Sequence, residues 1–460
     1  MKASDYKQDA NLAKEKLDAV SKSFCLAKWN QVSLHLPTGL TNSCYHPPLH
    51  EIDAAALTDN PAALHNTQHK LEQRSKMLQG EKPTECSYCW NMEDAGEMSD
   101  RHYRSGEPWA IQDFDTIVQD PLNTKHLPRY VEVNFNNACN LKCSYCSPQF
   151  SSSWSKEIDE QGAYPTTPPH NAQEHFVGRK KPIPNREYNP YVDAFWSWWP
   201  ELYRNLKHFR MTGGEPMMDH NTYRVFDYIL NNPKPDLHLN VTSNMCPPTD
   251  NIKKKYFDAV KRICGEDNVE HFMQFVSVDA HGPRADYIRH GMNYNYLMDN
   301  VDDFLTEIPA RNSVSFIITY NNLSVTSLDG LLKDILALRQ KHSKTYQRIW
   351  FDTPLLRQPA WQQITLLPAS YQRIHEQNIE YMRQHQENTD SEVKNYAVFK
   401  DFEIQKMLRN LAYWRKHAET NNTQKKNFYA FFLEHDRRRG TDFEKTFPEM
   451  QEFWQECKNL

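Results

Sequence analysis

Residues 130–146 read Tyr130-Val-Glu-Val-Asn-Phe135-Asn-Asn-Ala-Cys139-Asn-Leu-Lys-Cys143-Ser-Tyr-Cys146. The run from Tyr130 to Phe135 has the pattern of a strand, and three thiols follow it within eight residues. A structural zinc site is usually closed by four ligands, whereas three thiolates on one loop leave a position open on the metal that they bind. The stretch therefore predicts a strand that ends in a metal-binding loop with room for a further ligand.

Strand and helix patterns keep alternating beyond this loop, up to about residue 353. The later predicted strands are residues 208–212, 237–244, 272–279, 313–320 and 348–352. Helical stretches such as 331–338 separate them, and this order predicts six parallel βα units. Such sheets bind ligands at the carboxyl ends of their strands, so we expect the cysteine loop and the polar residues after each strand to meet there.

The composition excludes several classes of protein. No apolar run approaches the roughly 18 residues that span a membrane, so we expect no membrane protein. The first twenty residues are polar where a secretory signal would be apolar, which favours a cytoplasmic protein without disulfides. A net charge of −5 makes nucleic acid an unlikely partner, and the runs Arg179–Lys181, Lys253–Lys255 and Arg437–Arg439 are expected to be solvated.

A second group of cysteines, Cys25, Cys44, Cys86 and Cys89, precedes the predicted sheet. Four thiols can close a tetrahedral zinc site or hold an iron-sulfur cluster, because both accept four thiolates. The spacing of these cysteines does not distinguish a zinc site from an iron-sulfur cluster. Residues 1–125 are predicted to form an amino-terminal domain around this site.

The spacing of Cys139, Cys143 and Cys146, with Tyr145 before the third cysteine, resembles the radical S-adenosylmethionine superfamily. The resemblance implies that these cysteines hold a [4Fe-4S] cluster and leave one iron for the amino and carboxylate groups of S-adenosylmethionine. It places Tyr145 at the cofactor site, and it implies a reductant such as flavodoxin or ferredoxin.

The same resemblance extends to residues after the other predicted strands. The sequence Gly213-Gly214-Glu215 looks like the motif that contacts the amino group of S-adenosylmethionine. Ser277 and Arg289 match the residues that hold the methionyl carboxylate. Asn244 and Asp279, at the ends of two strands, complete the predicted cofactor site.

The resemblance implies an α/β fold, a partial (β/α)6 barrel over residues 126–355 with an insertion at about 155–195. The amino-terminal cysteines resemble a twitch domain. The chain resembles twitch-type radical proteins of phages and bacteria over about 25–355 and again at 436–441. This implies a second [4Fe-4S] cluster, with zinc as the alternative. Residues 356–460 are predicted to form a helical carboxyl-terminal extension, which packs on the barrel or recognises a partner.

The remaining cysteines, Cys246, Cys264 and Cys457, have no close thiol partner in the sequence and are expected to be buried. Cys246 stands apart because it lies just beyond the predicted third strand. A radical enzyme could use a thiol there as a hydrogen donor, and Cys246 is the candidate catalytic residue.

These features predict an enzyme that cleaves S-adenosylmethionine at the cluster to a 5'-deoxyadenosyl radical and abstracts hydrogen from a substrate, as the resemblance implies. A peptide or protein is the predicted substrate, by analogy with relatives that carry twitch domains. Two alternatives stay open. One is the same chemistry on a nucleoside, sugar or other small metabolite, and the other is a non-catalytic interaction protein that binds zinc or an iron-sulfur cluster.

Overall fold

The structure, a computed structural model, describes residues 3–172, 181–265, 267–387 and 395–460. The strands in these residues are β1 (Gln31–His35), β2 (Leu40–Asn42), β3 (His50–Glu51), β4 (Tyr130–Asn134), β5 (Lys142–Cys143), β6 (His208–Thr212), β7 (Lys234–Ser243), β8 (Val269–Ser277), β9 (Arg289–His290), β10 (Ser313–Ile317) and β11 (Ile349–Asp352). All six predicted strands are present, and β1 to β3, β5 and β9 are additional.

The helices up to α10 are α1 (Ala3–Val20), α2 (Ala27–Asn30), α3 (Gln68–Leu78), α4 (Ser87–Asp94), α5 (Asp100–Gly106), α6 (Pro108–Ile111), α7 (Phe114–Gln119), α8 (Ser152–Gln161), α9 (Pro190–Asn205) and α10 (His220–Asn231). The later helices are α11 (Asp250–Ile263), α12 (Pro283–Ile288), α13 (Tyr294–Glu307), α14 (Leu328–His342), α15 (Gln372–Gln384), α16 (Asp401–His417), α17 (Asn422–Arg439), α18 (Phe443–Thr446) and α19 (Gln451–Lys458). None of the described helices is both long and apolar enough to cross a membrane.

The chain folds into two compact units. The described part of the first unit comprises residues 3–136, 181–213 and 236–239, and the second contains the other described residues. The predicted domain boundaries at 125 and 355 stay a prediction. Part of the predicted insertion, 173–180, lies outside the described residues, as does most of the basic run Arg179–Lys181.

The first unit contains a parallel arrangement of β1, β4 and β6. Gln31 of β1 lies opposite Tyr130 of β4, which lies opposite His208 of β6. The hairpin strands β2 and β3 continue from β1 in antiparallel pairing. Alternate residues such as Val131 and Val133 are fully buried, because one face of these strands packs in the core. The sequence did not predict β1, because these five residues form a strand by pairing with β4, which lies about a hundred residues further along the chain.

Helix α9 supplies much of the aromatic core of the first unit. Asn189 caps its amino terminus by accepting hydrogen bonds from the amides of Tyr191 and Val192. Trp198 and Trp199 are almost wholly buried, and the ring of Trp199 lies 4.8 Å from that of Phe209. These aromatic residues therefore form helix core and do not line an exposed surface.

The second unit is also mixed α/β. Its strands are ordered β11-β10-β8-β7, and β10 pairs in parallel with both β8 and β11. Helices separate successive strands, as the alternating pattern predicted, and α14 covers the predicted helical stretch 331–338. The region after β11 is mainly helical, from α15 to α19. The predicted α/β class with parallel strands and a helical carboxyl-terminal region is confirmed.

Gly213 ends β6 in a conformation that suits glycine alone. Its φ is +73°, and a Cβ built there would lie 2.1 Å from Cγ of Asn134. The turn after β6 therefore depends on both the backbone freedom of glycine and the absence of a side chain.

We expect the substitution Gly213→Ala to lower the free energy of unfolding more than Gly80→Ala. Gly80 has a similar φ of +82° with nothing within 4 Å of the added Cβ, so it reports the backbone cost alone. That cost is about 1–2 kcal/mol, and the clash with Asn134 adds about 1–3 kcal/mol. Denaturant unfolding of both variants measures the difference, and equal losses would contradict the close contact.

Candidate functional site

The cysteine loop, residues 139–146, lies in the second unit and is held by side chains outside it. Four successive carbonyl groups of the loop each accept a hydrogen bond from such a side chain. The pairs are Ser151 Oγ to Leu141 (2.7 Å), Arg439 Nη1 to Lys142 (2.7 Å), Trp154 Nε1 to Cys143 (2.9 Å) and Gln362 Nε2 to Ser144 (3.1 Å). Side chains of the surrounding protein thus satisfy the carbonyl groups of the loop and hold its backbone.

A short ribbon joins the loop to the segment after α12. The strand β5 pairs with β9 so that Cys143 lies opposite Arg289 and Lys142 opposite His290. The amide of Ser144 extends the ribbon by donating to the carbonyl of Ile288 at 2.7 Å. Residues far apart in sequence, Cys143 and Arg289, therefore become neighbours.

Arg289 forms a buried network with two of the predicted cofactor residues. Its Nε and Nη2 donate to the two carboxylate oxygens of Asp279 at 2.8 and 3.0 Å, and Nη2 also donates to the hydroxyl of Tyr145 at 2.6 Å. That hydroxyl donates to Asp279 at 2.7 Å. Asp279 is fully buried, and Arg289 is 6% exposed. Burial lowers the pKa of Arg289, but Asp279, Tyr145 and Cys143 together raise it more, so the net pKa lies well above its usual range.

The same arginine reaches the cysteine loop directly. Its Nη1 lies 3.6 Å from Sγ of Cys143, within the range of an N–H···S hydrogen bond. The guanidinium has five N–H groups, and the contacts with Asp279, Tyr145 and Cys143 use four of them. Among the described residues, the second N–H of Nη1 has no hydrogen-bond partner and is available to a ligand.

Glu215 is a buried carboxylate held by three hydrogen bonds. One oxygen accepts from the amide of Met217 at 3.0 Å and from the hydroxyl of Ser243 at 2.7 Å, and the other accepts from the amide of Asn244 at 2.8 Å. Burial raises the pKa of Glu215, the three hydrogen bonds lower it, and the net pKa is raised. Within the described part of the chain, no lysine, arginine or histidine forms a salt bridge with Glu215.

Two contacts tie Glu215 to the cysteine loop. The amide of Glu215 donates to the carbonyl of Ala138, the residue before Cys139, at 2.6 Å. Asn244, whose amide binds the carboxylate, donates through Nδ2 to Oδ1 of Asn140 at 3.0 Å. The carboxylate and the three thiols are therefore parts of one local structure.

Cys246 belongs to the same structure through its backbone. Its carbonyl accepts from Asn140 at 2.8 Å, and its amide donates to Oδ1 of Asn244 at 2.8 Å. The thiol is buried and lies 3.5 Å from the carbonyl of Asn293, and burial raises its pKa to about 12. Burial of Cys264 and Cys457 matches the expectation for these residues.

The remaining predicted residues lie at strand ends. Ser277 is the last residue of β8 and is half-buried. Gly214 follows Gly213 with a φ of +49°, so that both glycines occupy the left-handed region before Glu215.

The chemistry of the three loop thiols fits a soft metal. Burial is the main cause that raises the pKa of Cys139, Cys143 and Cys146, the last to about 12. The charge on Cys143 raises the pKa of both other thiols. Thiols bind metals as thiolates, so a metal that binds here would release protons. Among the described residues, no three or more His, Cys, Asp or Glu side chains are placed so that they could together hold one metal ion, so the thiols would have to reorient to bind one.

The amino-terminal cysteines come together in the first unit. Cys25, Cys44, Cys86 and Cys89 line one cavity, although up to 64 residues separate them in the sequence. Burial raises the pKa of Cys44 to about 11 and the pKa values of Cys86 and Cys89 to about 12. The donor set of four thiols fits zinc or a fully ligated iron-sulfur cluster equally well.

Two buried cations line the same cavity. Lys28 forms an ion pair with Glu85, and its side chain is 2% exposed. Burial lowers the pKa of Lys28, but Cys86 and Glu85 raise it more, so the net pKa is raised. Arg101 is equally buried and pairs with Glu93 at 2.9 Å. These cations favour negative charge on the nearby sulfur atoms.

The sequence reading was wrong about the basic run at the end of α17. Arg437 is exposed as expected, but the side chains of Arg438 and Arg439 are 2% and 0% exposed. They point into the protein because carbonyl oxygens, carboxylates and aromatic rings are available to them there. A run of three arginines gives no sign of this in the sequence alone.

Comparison with known proteins finds similar solved structures only, since no protein-family model and no curated protein matches the chain. The crystal structure of Streptococcus suis SuiB bound to S-adenosylmethionine is 13% identical with a TM-score of 0.36, over 73% of this chain and 65% of that one. SuiB itself gives 12% and 0.35, over 76% and 67%. SuiB bound to precursor peptide SuiA gives 10% and 0.37, over 77% and 69%. The chain thus spans about two thirds of the length of SuiB. Because the TM-scores are low, the function of SuiB cannot be assigned to this chain from the similarity.

We expect Arg289→Gln to destabilise the second unit by about 3–5 kcal/mol, because it leaves the buried Asp279 carboxylate without its cation. The double variant Asp279→Asn, Arg289→Gln removes both charges and is expected to recover much of that loss. Denaturant unfolding of the two single variants and the double variant measures the coupling. Additive losses would show that the two side chains do not depend on each other.

Proposed function

We propose that this protein is a radical S-adenosylmethionine enzyme in which Cys139, Cys143 and Cys146 hold a [4Fe-4S] cluster. The observation that carries the proposal is a three-thiol loop joined to a buried carboxylate, Glu215, that forms no salt bridge with any described residue. Glu215 binds the backbone directly before Cys139. A buried carboxylate in this state gains from a charge-assisted hydrogen bond with an ammonium group, and S-adenosylmethionine carries one.

When bound, the cluster and S-adenosylmethionine supply a reductive cleavage that produces a 5'-deoxyadenosyl radical for hydrogen abstraction. The protein's own residues then have two tasks. Glu215 orients the amino group of the cofactor. Arg289, held by Asp279 and Tyr145, offers a hydrogen bond to the carboxylate of the cofactor.

The methionyl carboxylate is proposed to bind Ser277 and the remaining N–H of Arg289. Asp279 already neutralises Arg289, so this arginine contributes one hydrogen bond instead of a full ion pair. Asp279 and Tyr145 act mainly by orienting the guanidinium. Cys246 stays a proposed hydrogen donor, and its contact with the carbonyl of Asn293 would have to break for that role.

The cavity of the first unit is proposed to hold a second metal centre, a [4Fe-4S] cluster or zinc. Four thiolates give either centre a net negative charge, which Lys28 and Arg101 would balance. The substrate proposed with this assignment is a peptide or protein, as the resemblance to twitch domains implies. A flavodoxin or ferredoxin is the proposed electron donor.

Anaerobic reconstitution with iron and sulfide, followed by quantifying iron and 5'-deoxyadenosine after addition of dithionite and S-adenosylmethionine, tests the proposal. We expect about four irons per chain at the cysteine loop and about eight if both sites hold cubanes. Cys143→Ala is the control, and it should lose the irons of the loop and form no deoxyadenosine. Four irons with one zinc would assign zinc to the first unit. A full cluster without deoxyadenosine formation would contradict the proposed enzyme.

Glu215→Gln is expected to weaken binding of S-adenosylmethionine by about 10- to 100-fold, because a charge-assisted hydrogen bond to the ammonium contributes roughly 1.5–3 kcal/mol. Iron content should stay at the wild-type value, since Glu215 is not a proposed ligand. Equilibrium binding to the reconstituted protein measures the effect. An unchanged affinity would remove Glu215 from the cofactor site.

A further inference from the structure

The carboxyl-terminal region reaches the cysteine loop through Arg439, the last residue of α17. Its Nη1 donates to the carbonyl of Lys142 at 2.7 Å. Its Nε and Nη2 lie 3.3 and 3.2 Å from the two carboxylate oxygens of Glu157. Its guanidinium carbon lies 4.7 Å from the ring centroid of Trp154. A single buried side chain therefore contacts the loop and two residues of α8.

The buried carboxylate of Glu157 accepts hydrogen bonds from three side chains. Lys142 of the loop donates to it at 2.6 Å and the hydroxyl of Tyr164 at 2.5 Å, in addition to Arg439. Burial raises the pKa of Glu157, but Arg439 and the other donors lower it more, to about 2. The carboxylate is thus ionised, and it binds Arg439 and Lys142 at the same time.

Trp154 gives Arg439 a second, indirect contact with the loop. The indole Nε1 donates to the carbonyl of Cys143 at 2.9 Å, and the face of the ring packs against the guanidinium. Arg439 therefore acts on two successive loop residues, Lys142 directly and Cys143 through Trp154.

The end of α17 is built to present Arg439 in this position. Gly440 ends the helix with a φ of +64°, and its amide donates to the carbonyl of Asp436 at 2.8 Å. The carboxylate of Asp436 accepts from the hydroxyls of Tyr287 and Thr441 at 2.8 and 2.7 Å. The segment 436–441, which the sequence reading noted without a role, thereby fixes where the helix stops and where its last side chain points.

We propose that Arg439 is a positioning residue for the cluster, which makes the carboxyl-terminal region a part of the cofactor site. This inference rests on the proposed function, because it assumes that the cysteine loop holds the [4Fe-4S] cluster. The guanidinium keeps the backbone of Lys142 and Cys143 in the conformation that presents the Cys143 thiol. It does so without contacting the sulfur atoms.

The test compares Arg439→Ala and Arg439→Lys with Arg437→Ala in the full chain after anaerobic reconstitution. Arg437 is the matched control because it removes the same charge from the same turn of α17, while its side chain is 62% exposed and pairs with Glu434. Iron release to a chelator and the electron paramagnetic resonance spectrum of the reduced cluster, with and without S-adenosylmethionine, are measured. Thermal unfolding of each variant is recorded alongside.

We expect Arg439→Ala to release iron from the loop about 10- to 100-fold faster than wild type, as for other residues that orient metal ligands. Its spectrum should also differ from that of the wild type. Arg439→Lys keeps the charge but cannot span the carbonyl of Lys142, Glu157 and the Trp154 ring together, so it should restore release only in part. Arg437→Ala should match wild type in both measurements.

If Arg439→Ala does not fold, Arg439→Lys is compared with the wild type and with Arg437→Ala instead. Iron release and spectra of a folded Arg439→Lys that equal those of the wild type would overturn the inference. A wild-type protein that holds no cluster at the loop would instead overturn the proposed function, so the two failures are distinguishable. A lowered unfolding temperature with an unchanged spectrum would show that Arg439 only stabilises the fold.

Discussion

The candidate site depends on holding the eight residues 139–146, which are irregular apart from the short strand β5, in one conformation. Irregular backbone inside a protein is stable only when its polar groups find partners. Here the carbonyls of residues 141–144 each accept a hydrogen bond from a side chain of another segment. These contacts hold the backbone that carries the thiols, which reduces the conformational entropy that the loop loses when a metal binds.

The two charged side chains beside the loop, Arg289 and Glu215, differ in whether a partner already neutralises them. This difference determines which ligand groups gain most from binding. Arg289 is already neutralised by Asp279, so an incoming carboxylate gains little from it beyond one hydrogen bond. Glu215 has hydrogen bonds but no cation in the described part of the chain, so an incoming ammonium gains more. A ligand that carries both groups is therefore oriented mainly by its amino end. This asymmetry was not visible in the sequence, which assigned Glu215 to the amino group and Arg289 to the carboxylate without showing that Asp279 neutralises the arginine.

The sequence predicted the features that depend on short-range patterns. The strands β4, β6, β7, β8, β10 and β11 follow from alternating apolar residues, and the turn at Gly213 follows from adjacent glycines. The burial of Arg439 could not be predicted, because its partners Lys142, Trp154 and Glu157 lie nearly three hundred residues away and a run of arginines is more often solvated. The pairing of β1 with β4 was missed for a similar reason, since about a hundred residues separate the two strands.

The most direct test of the central claim is a crystal structure of anaerobically reconstituted protein with S-adenosylmethionine, with anomalous diffraction recorded at the iron edge. We expect the anomalous signal of a four-iron cluster bound by Cys139, Cys143 and Cys146. The amino group of the cofactor should lie within hydrogen-bond distance of Glu215. A single metal ion at the loop, or a cofactor bound away from Glu215, would contradict the account.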